Sequence, residues 1–394
     1  MSDLCITNLR LNNKKVSLHI KDGRISEIAD ASQPTATAKI IDGQDAIVIP
    51  SFVDCHMHLD KTLIGGAWQS NQAENNLASR IATERRMRKE LNHDPAHHGL
   101  ALMKKISAYG TTALRSHVDI DHEIGIYHLE RLFTLKDQYK EYMDMEFIAF
   151  PQSGILKSPG TEEYLEEALK MGCDGIGGLD PCLFDGNPAK HLDILFSLAD
   201  KYQKKIYIHL HEPSDIGAFS IELIAERTKA LGMQGKVSIS HAFALGMVPE
   251  GKFKQLAKML QEQQITIITS APGSAVLPPL KALVDEGVSV AAGSDNIRDF
   301  WSPYGSGDML ERAMFIGYRS NYRRDEEIEF GLSLCAGAGR TLLELPTNNL
   351  TAGDPADFIL IQSPNLPQAV LEHPERLMVF KSGKLIAENG QALW

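Results

Sequence analysis

Two histidines that are one residue apart end an apolar segment of the chain. The stretch reads FVDCHMHLDK and contains His56 and His58. If the segment is a strand, both imidazoles point to the same side, because successive side chains alternate between the two faces. Two imidazoles on one side can bind the same divalent cation. This spacing alone is a weak signal, since a buried histidine is more often a hydrogen-bonded core residue.

Polar side chains follow six further apolar segments in the same way. The motifs are His117-Val118-Asp119, Gln152 in FPQSG, Asp180 in GGLDP, His209-Leu210-His211-Glu212, Ser240-His241 and Ser294-Asp295-Asn296. If these segments are strands of one barrel, their carboxyl ends meet at a single mouth. Three imidazoles and one carboxylate suit zinc or iron and leave a position for water. We predict one divalent metal ion, Zn or Fe, with the ligands His56, His58, His209 and Asp295.

Apolar, β-rich segments alternate with helical stretches through the middle of the chain. We predict strands near 48–56, 112–118, 143–150, 174–179, 205–210, 236–241, 265–270 and 288–294, with helices such as 161–171, 188–203, 219–231 and 306–318 between them. Eight strand–helix units predict an α/β fold, a (β/α)8 TIM barrel. A doubly wound sheet is the alternative, but the sequence lacks the glycine-rich phosphate turn expected after its first strand.

Strand-like segments also occur near both ends of the chain. Apolar and polar residues alternate there, and Asp22-Gly23 and Ser382-Gly383 mark turns. The simplest packing joins these segments into one small β-sandwich domain. We therefore predict a small β domain from residues 1–49 and 345–394, and a metal-dependent barrel from residues 50–344.

Composition and charge argue against several classes of partner. The 394 residues carry a net charge of −11, which repels a phosphate backbone, so we predict no nucleic-acid partner. The sequence has no run of 18 apolar residues and no export signal at its start, which predicts no membrane association and a cytoplasmic location. Five widely spaced cysteines predict neither a disulfide framework nor a zinc site of the CxxC type.

Taken together, these motifs resemble the amidohydrolase superfamily over essentially the whole chain. Within it, the chain is similar to the branch of cytosine deaminase and N-isopropylammelide isopropylaminohydrolase. The stretches that carry the resemblance are PSFVDCHMHLDK, RSHVDID, FIAFPQSGIL, MGCDGIGGLDP, SDNIRDFWSPYGSGDM and LTAGDPADFIL. The resemblance implies a hydrolase that acts on C–N bonds of cyclic amidines. Binuclear members carry a modified lysine at the end of strand four, and DGIGGLDP contains no lysine, so we expect one metal ion.

The resemblance implies a metal-dependent deaminase of a small N-heterocycle, in which a metal-activated water attacks the amino-bearing ring carbon. Cytosine or a cytosine-like pyrimidine is the expected substrate, and an N-alkylammelide or ammelide-type triazine is the alternative. Glu212 matches the cytosine pattern, whereas Ser153 and Asn296 match the triazine pattern. Two weaker hypotheses are a cyclic amide hydrolase, which Gln152 and Glu212 argue against, and an inactive barrel that only binds a ligand.

The resemblance also implies roles for single residues. The family counterpart of Glu212 is a proton shuttle; a loop carboxylate paired with a cation is the alternative. Asp295 would take the proton of the water, and His241 would hydrogen-bond to the reacting centre. The expected substrate-binding residues are Gln152, Asp180, His211, Lys61 and Trp301. A plain core residue is an equal alternative for Trp301. The roles of His117 and Arg298 stay open, as does the oligomeric state, although relatives often form homo-oligomers.

Overall fold

A computed structural model describes residues 3–30, 39–74 and 76–394 of the chain. The strands in these ranges are β1 (Leu4–Leu11), β2 (Lys14–Lys21), β3 (Arg24–Asp30), β4 (Lys39–Pro50), β5 (Phe52–Met57), β6 (Thr111–Asp119), β7 (Asp144–Phe150), β8 (Gly175–Leu179), β9 (Lys205–Leu210), β10 (Val237–His241), β11 (Thr266–Thr269), β12 (Val290–Ala292), β13 (Phe358–Ile361), β14 (Arg376–Lys381), β15 (Lys384–Glu388) and β16 (Gln391–Ala392).

The helices are α1 (Leu77–Glu90), α2 (Pro95–Ala108), α3 (Tyr127–Tyr139), α4 (Thr161–Lys170), α5 (Pro188–Tyr202), α6 (Ser214–Ala230), α7 (Glu250–Glu262), α8 (Leu280–Asp285), α9 (Met309–Arg319), α10 (Asp325–Ser333), α11 (Gly337–Leu342) and α12 (Leu366–Glu372), with a short 3-10 helix at Phe243–Gly246. None of the helices in the described part of the chain is both long enough and apolar enough to cross a membrane.

Strands β5 to β12 form one parallel sheet in consecutive order. Its two outer strands meet at their C-terminal ends, where the backbone amide of Asp295 donates to the carbonyl of His56 across 2.7 Å. The sheet is therefore a nearly closed barrel, and the predicted TIM barrel is confirmed. Strand β12 ends at Ala292, earlier than expected, and Asp295 then adopts a left-handed conformation with a φ of 62°.

Gly293 lets the first and last strands approach each other. A Cβ atom at this position would lie 2.5 Å from the backbone nitrogen of His56 and 2.6 Å from its Cβ. Any larger residue would therefore push β5 away from the end of β12. The closure of the barrel depends on the missing side chain.

The segments near the two ends of the chain form a second sheet, as expected. Its eight strands run in the order β16-β15-β14-β13-β4-β1-β2-β3, with β1 and β4 parallel and the other pairs antiparallel. Apolar residues from both terminal segments, among them Leu18, Val48, Phe358 and Phe380, form its own core cluster. The domain boundaries at 49 and 345 stay predictions, and residues 1, 2 and 31–38 of the predicted β domain lie outside the described ranges.

Ion pairs join this sheet to the barrel. The Lys381 ammonium in β14 lies 2.5 Å from the Asp144 carboxylate in β7. Arg340 in α11 pairs with Asp357, just before β13, at 3.1 Å, and both side chains are buried. Because a buried charge is costly without its partner, these pairs fix the sheet against one side of the barrel.

Candidate active site

Five buried histidines meet at the mouth of the barrel. They are His56 and His58 at the end of β5, His117 in β6, His209 in β9 and His241 in β10. The ring centroid of His56 lies 4.4 Å from those of both His117 and His209, and 5.2 Å from that of His241. One ring nitrogen each of His56, His58 and His209 can be chosen so that all three lie within 4.8 Å of one another. The fold thus brings together imidazoles from four strands.

The Asp295 carboxylate lies beside these rings. Its Oδ1 is 3.5 Å from Nε2 of His56 and 3.4 Å from Nε2 of His58. Its Oδ2 is 3.9 Å from Nε2 of His241. The four residues predicted as metal ligands are therefore gathered around His56.

Many of the ring nitrogens have no hydrogen-bond partner in the described part of the chain. This holds for both nitrogens of His117, His209 and His241, for Nε2 of His56 and for Nδ1 of His58. A buried polar atom without a partner costs about 1–3 kcal/mol. Burial also holds the pKa values of His117, His209 and His241 well below the usual range. Low pKa values favour the neutral form of these three rings, in which one ring nitrogen carries the free lone pair that a divalent cation requires.

Ser240 fixes the orientation of the His56 ring. Its hydroxyl lies 2.8 Å from Nδ1 of His56, which leaves Nε2 turned toward Asp295. Such a contact selects the tautomer of a metal-binding histidine and holds its ring in place. Phe150 packs against the cluster from another side, with its ring stacked 4.1 Å from that of His209. The sequence placed Ser240 in a strand-end motif but indicated no role for it, and it did not mark Phe150 as part of the site.

Three of the proposed site residues at or just past the ends of barrel strands have a left-handed backbone. The φ angles are 34° at Asp180, 71° at His241 and 62° at Asp295. This conformation is uncommon for residues other than glycine, and it concentrates at functional sites, where the surrounding structure maintains it. All three positions carry side chains that the sequence assigned to the site.

Asp180 holds His211 beside His241. One carboxylate oxygen lies 2.8 Å from Nδ1 of His211, and the other accepts the backbone amide of His211 at 2.6 Å. The His211 ring stacks on that of His241 at 4.4 Å, and its side chain is 38% exposed. Burial works against protonation, but Asp180 outweighs it and raises the pKa of His211. His211 therefore faces the mouth, where a substrate can reach it.

The Glu212 carboxylate is engaged by neighbouring loops. One oxygen accepts the backbone amides of Cys182 and Leu183, both at 2.7 Å, and the other accepts the hydroxyl of Ser220 in α6. Burial raises the pKa of Glu212. These contacts tie the loop after β8 to α6. The role of proton shuttle for Glu212 stays a prediction.

Lys61 is the centre of a second buried polar group at the mouth. Its ammonium lies 2.9 Å from Asp119, 3.2 Å from Oε1 of Gln152 and 3.6 Å from Glu84. It also lies 4.9 Å from the centroid of the Trp301 ring, whose indole nitrogen donates to Glu84. Despite burial, Asp119 and Glu84 raise the pKa of Lys61. The predicted residues Lys61, Gln152 and Trp301 thus lie together. Glu84 contacts both Lys61 and Trp301, and the sequence did not indicate Glu84 as part of the site.

Arg298, for which the sequence suggested no role, lies over the ring of Trp68 at 5.5 Å from its centroid. The pair is part of the loops after β5 and β12. Because Arg298 belongs neither to the imidazole cluster nor to the group around Lys61, we assign it no direct role in the site.

A protein-family model described as the amidohydrolase family matches residues 97–387. The chain belongs to the amidohydrolase family. It is accordingly a hydrolase that acts on C–N bonds, and the resemblance to the branch of cytosine deaminase and N-isopropylammelide isopropylaminohydrolase is confirmed.

Three relatives show where this amidohydrolase stands within the family. The crystal structure of N-isopropylammelide isopropylaminohydrolase from Burkholderia multivorans is 38% identical, with a TM-score of 0.96 over 100% of both chains. That of 5-methylcytosine deaminase from Klebsiella pneumoniae with 5-fluorocytosine is 26% identical, with a TM-score of 0.85 over 98% of this chain and 97% of that one. N-isopropylammelide isopropyl amidohydrolase from Pseudomonas sp. (strain ADP) is 27% identical over 98% of each chain.

Proposed function

We propose that this amidohydrolase removes an amine hydrolytically from a ring carbon of a small N-heterocycle of the ammelide type. The observation that carries the proposal is the meeting of buried imidazoles that have unpartnered ring nitrogens with Asp295, next to the Asp180–His211 pair. Cytosine or a cytosine-like pyrimidine is the second candidate. The 38% identity to the triazine aminohydrolase favours the first candidate, and the 26% identity to 5-methylcytosine deaminase supports the second.

One divalent ion, Zn or Fe, would be held by His56, His58, His209 and Asp295. Bound there, it would polarise the substrate and lower the pKa of water to around 7. Strand β8 contains no lysine that could be modified to bridge a second ion. We assign His117, packed against the rings of His56 and His209 at 4.4 and 4.5 Å, to the support of these two ligands.

The proton transfers are assigned to residues around the cluster. Asp295 accepts the proton of the attacking water. His241, whose Nε2 lies 3.9 Å from Asp295, hydrogen-bonds to the reacting centre. His211, held by Asp180, then delivers a proton to the departing amine. We prefer His211 to Glu212 for this step because the described hydrogen bonds of Glu212 all lead to neighbouring loops and to α6.

The remaining contacts of the substrate are assigned to the second polar group. Gln152 hydrogen-bonds to the edge of the ring, and Trp301 forms a wall of the pocket. The partner of this protein is a small molecule, and its net charge of −11 argues against nucleic acid.

A substrate panel tests the proposal. The full chain is loaded with Zn²⁺ or Fe²⁺ and supplied with ammelide, N-isopropylammelide, cytosine, 5-methylcytosine and two cyclic amides. We expect release of ammonia or isopropylamine from at least one triazine, and none from a metal-depleted sample or from His56→Asn. Ring opening of a cyclic amide would support a cyclic amide hydrolase instead. Tight binding without any turnover would support an inactive ligand-binding barrel.

A further inference from the structure

We propose that Lys61 sets the direction of the Gln152 side-chain amide, so that Gln152 offers only N–H donors and selects rings with oxygen acceptors at the edge it reads. The inference rests on the proposed function for the reaction, but it concerns a separate property, the choice between oxo and amino substituents. A free glutamine amide offers both an acceptor and donors. A constrained amide offers only one kind.

The neighbour of Gln152 decides which end of its amide points where. The Lys61 ammonium lies 3.2 Å from Oε1 of Gln152. An ammonium has three donors and no acceptor, so only the oxygen of the amide can form a hydrogen bond with it. The opposite orientation would place the amide NH₂ against a cation, with donor facing donor. The oxygen is therefore committed to Lys61, and the NH₂ group is turned the other way.

Lys61 itself is held in place by acceptors of the protein. It lies 2.9 Å from Asp119 and 3.6 Å from Glu84, and its side chain is 1% exposed. Gln152 is the third oxygen neighbour of this ammonium. The contacts of Lys61 in the described residues thus lead to oxygens of the protein, at hydrogen-bond distance for Asp119 and Gln152 and as an ion pair for Glu84. Lys61 is a positioning residue that acts through Gln152.

The NH₂ group of Gln152 is available to a ligand. Among the described residues, none accepts a hydrogen bond from its Nε2, although the side chain is only 5% exposed. The backbone amide of Gln152 donates to the carbonyl of Phe150, whose ring stacks on His209. The hydroxyl of Ser153 donates to Asp121 at 2.5 Å, which fixes the loop on its other side. The two N–H donors of the Gln152 amide thus belong to a fixed loop. This loop begins two positions after Phe150, whose ring packs on the imidazole cluster.

Such donors distinguish oxo from amino substituents on the same ring. A ring carbonyl accepts from the NH₂ group, whereas an exocyclic amino group meets it with another donor and leaves both unpaired. Ammelide and melamine form a matched pair, because both remaining ring substituents are oxo in the first and amino in the second. Whichever remaining substituent faces Gln152, it is therefore oxo in ammelide and amino in melamine. We expect initial rates of amine release to give a kcat/KM at least about 10-fold higher for ammelide.

Two substitutions test the role of Lys61. In Gln152→Glu, one carboxylate oxygen keeps the contact with Lys61 and the other replaces the donors by an acceptor, so the ammelide-to-melamine ratio should fall about 10-fold or more and move toward melamine. In Lys61→Met, the amide is free to turn over, so the ratio should fall toward one. Lys254→Met, an exposed change in α7, is the matched control and should leave the ratio unchanged.

The outcomes separate this inference from the proposed function. If Lys61→Met does not fold, because Asp119 and Glu84 lose their partner, Gln152→Glu decides alone. If the wild-type enzyme releases no amine from any ring, the proposed function fails, and calorimetric binding of cyanuric acid and melamine by metal-loaded wild type and Gln152→Glu decides the inference. An oxo-to-amino ratio that is the same in wild type as in Gln152→Glu or in folded Lys61→Met, or binding of neither ring, would overturn it.

Discussion

The backbone amide of Asp295 donates to the carbonyl of His56 across 2.7 Å, and the side chains of the same two residues lie 3.5 Å apart. The hydrogen bond that closes the barrel thus joins two of the proposed metal ligands, although they lie 239 positions apart in the sequence. Closure of the barrel and the proposed site therefore share this contact, and a change that opens this seam between β5 and the end of β12 should affect both stability and metal binding.

Gly293→Ala should open the seam. The new methyl group would lie 2.5 Å from the backbone nitrogen of His56, and overpacking of this kind costs about 1–3 kcal/mol of unfolding free energy. We expect a lower Tm and a lower metal content per chain, measured by thermal unfolding and elemental analysis. Gly251→Ala in α7 is the control, since a Cβ there meets nothing within 4 Å. If Gly293→Ala kept its full metal content, metal binding would not depend on the close approach of β5 and the end of β12.

Ser240→Ala should weaken metal binding without unfolding the protein. The Ser240 hydroxyl holds Nδ1 of His56, and loss of such a support typically costs about 10–100-fold in metal affinity. Affinity is measured by competition with a chelator, and Tm is measured in parallel on the apo protein. Ser240→Thr keeps a hydroxyl on the same strand and should retain most of the affinity. Equal affinities in wild type and Ser240→Ala would exclude this role.

The barrel was predictable because its strands are buried on both faces. Strands such as β9, with the sequence KIYIHL, read as apolar runs that end in polar residues. The same feature revealed the proposed ligands, since the ends of parallel strands share one mouth. His56, His209 and Asp295 could thus be assigned to one place without any knowledge of distances.

The contacts that hold the predicted site residues in place could not be predicted from the sequence. Glu84 lies in α1, whose sequence LASRIATERRMRKE shows no apolar face and no motif that points to Lys61. Phe150 and Ser240 have the residue types of any buried strand. Their partners are set by how strands far apart in sequence come together, which local patterns do not encode. The engagement of Glu212 by the loop at 182–183 depends on loop conformation in the same way.

Asp180→Asn and Glu212→Gln should affect different properties of the enzyme. The first should mainly lower the rate, and the second should mainly lower the stability. Asp180→Asn removes the charge that supports a protonated His211, and a proton-transfer role is worth about 10²–10⁴-fold in kcat. Asparagine tolerates the left-handed backbone at this position, so the fold should persist. Glu212→Gln should mainly lower the Tm, because it weakens the acceptor for Cys182, Leu183 and Ser220.

Steady-state kinetics and thermal unfolding of both variants decide between the two residues. His211→Asn should lose kcat to a similar degree as Asp180→Asn, since the two act as a pair. If Glu212→Gln instead loses kcat at an unchanged Tm, the proton shuttle belongs to Glu212, as the sequence suggested.

Stability should fall as pH rises through neutrality, because of Asp299. Burial raises the pKa of this carboxyl to about 7, whereas its value in the unfolded chain is near 3.8. Between these values the native state binds more protons than the unfolded state, so the free energy of unfolding decreases with increasing pH. Asp299→Asn removes the titration, and its Oδ1 can still accept the backbone amides of Trp301 and Ser302. Urea unfolding of the metal-loaded protein between pH 5 and 8 should therefore give a flatter curve for the variant, and parallel curves would show that Asp299 does not titrate in this range.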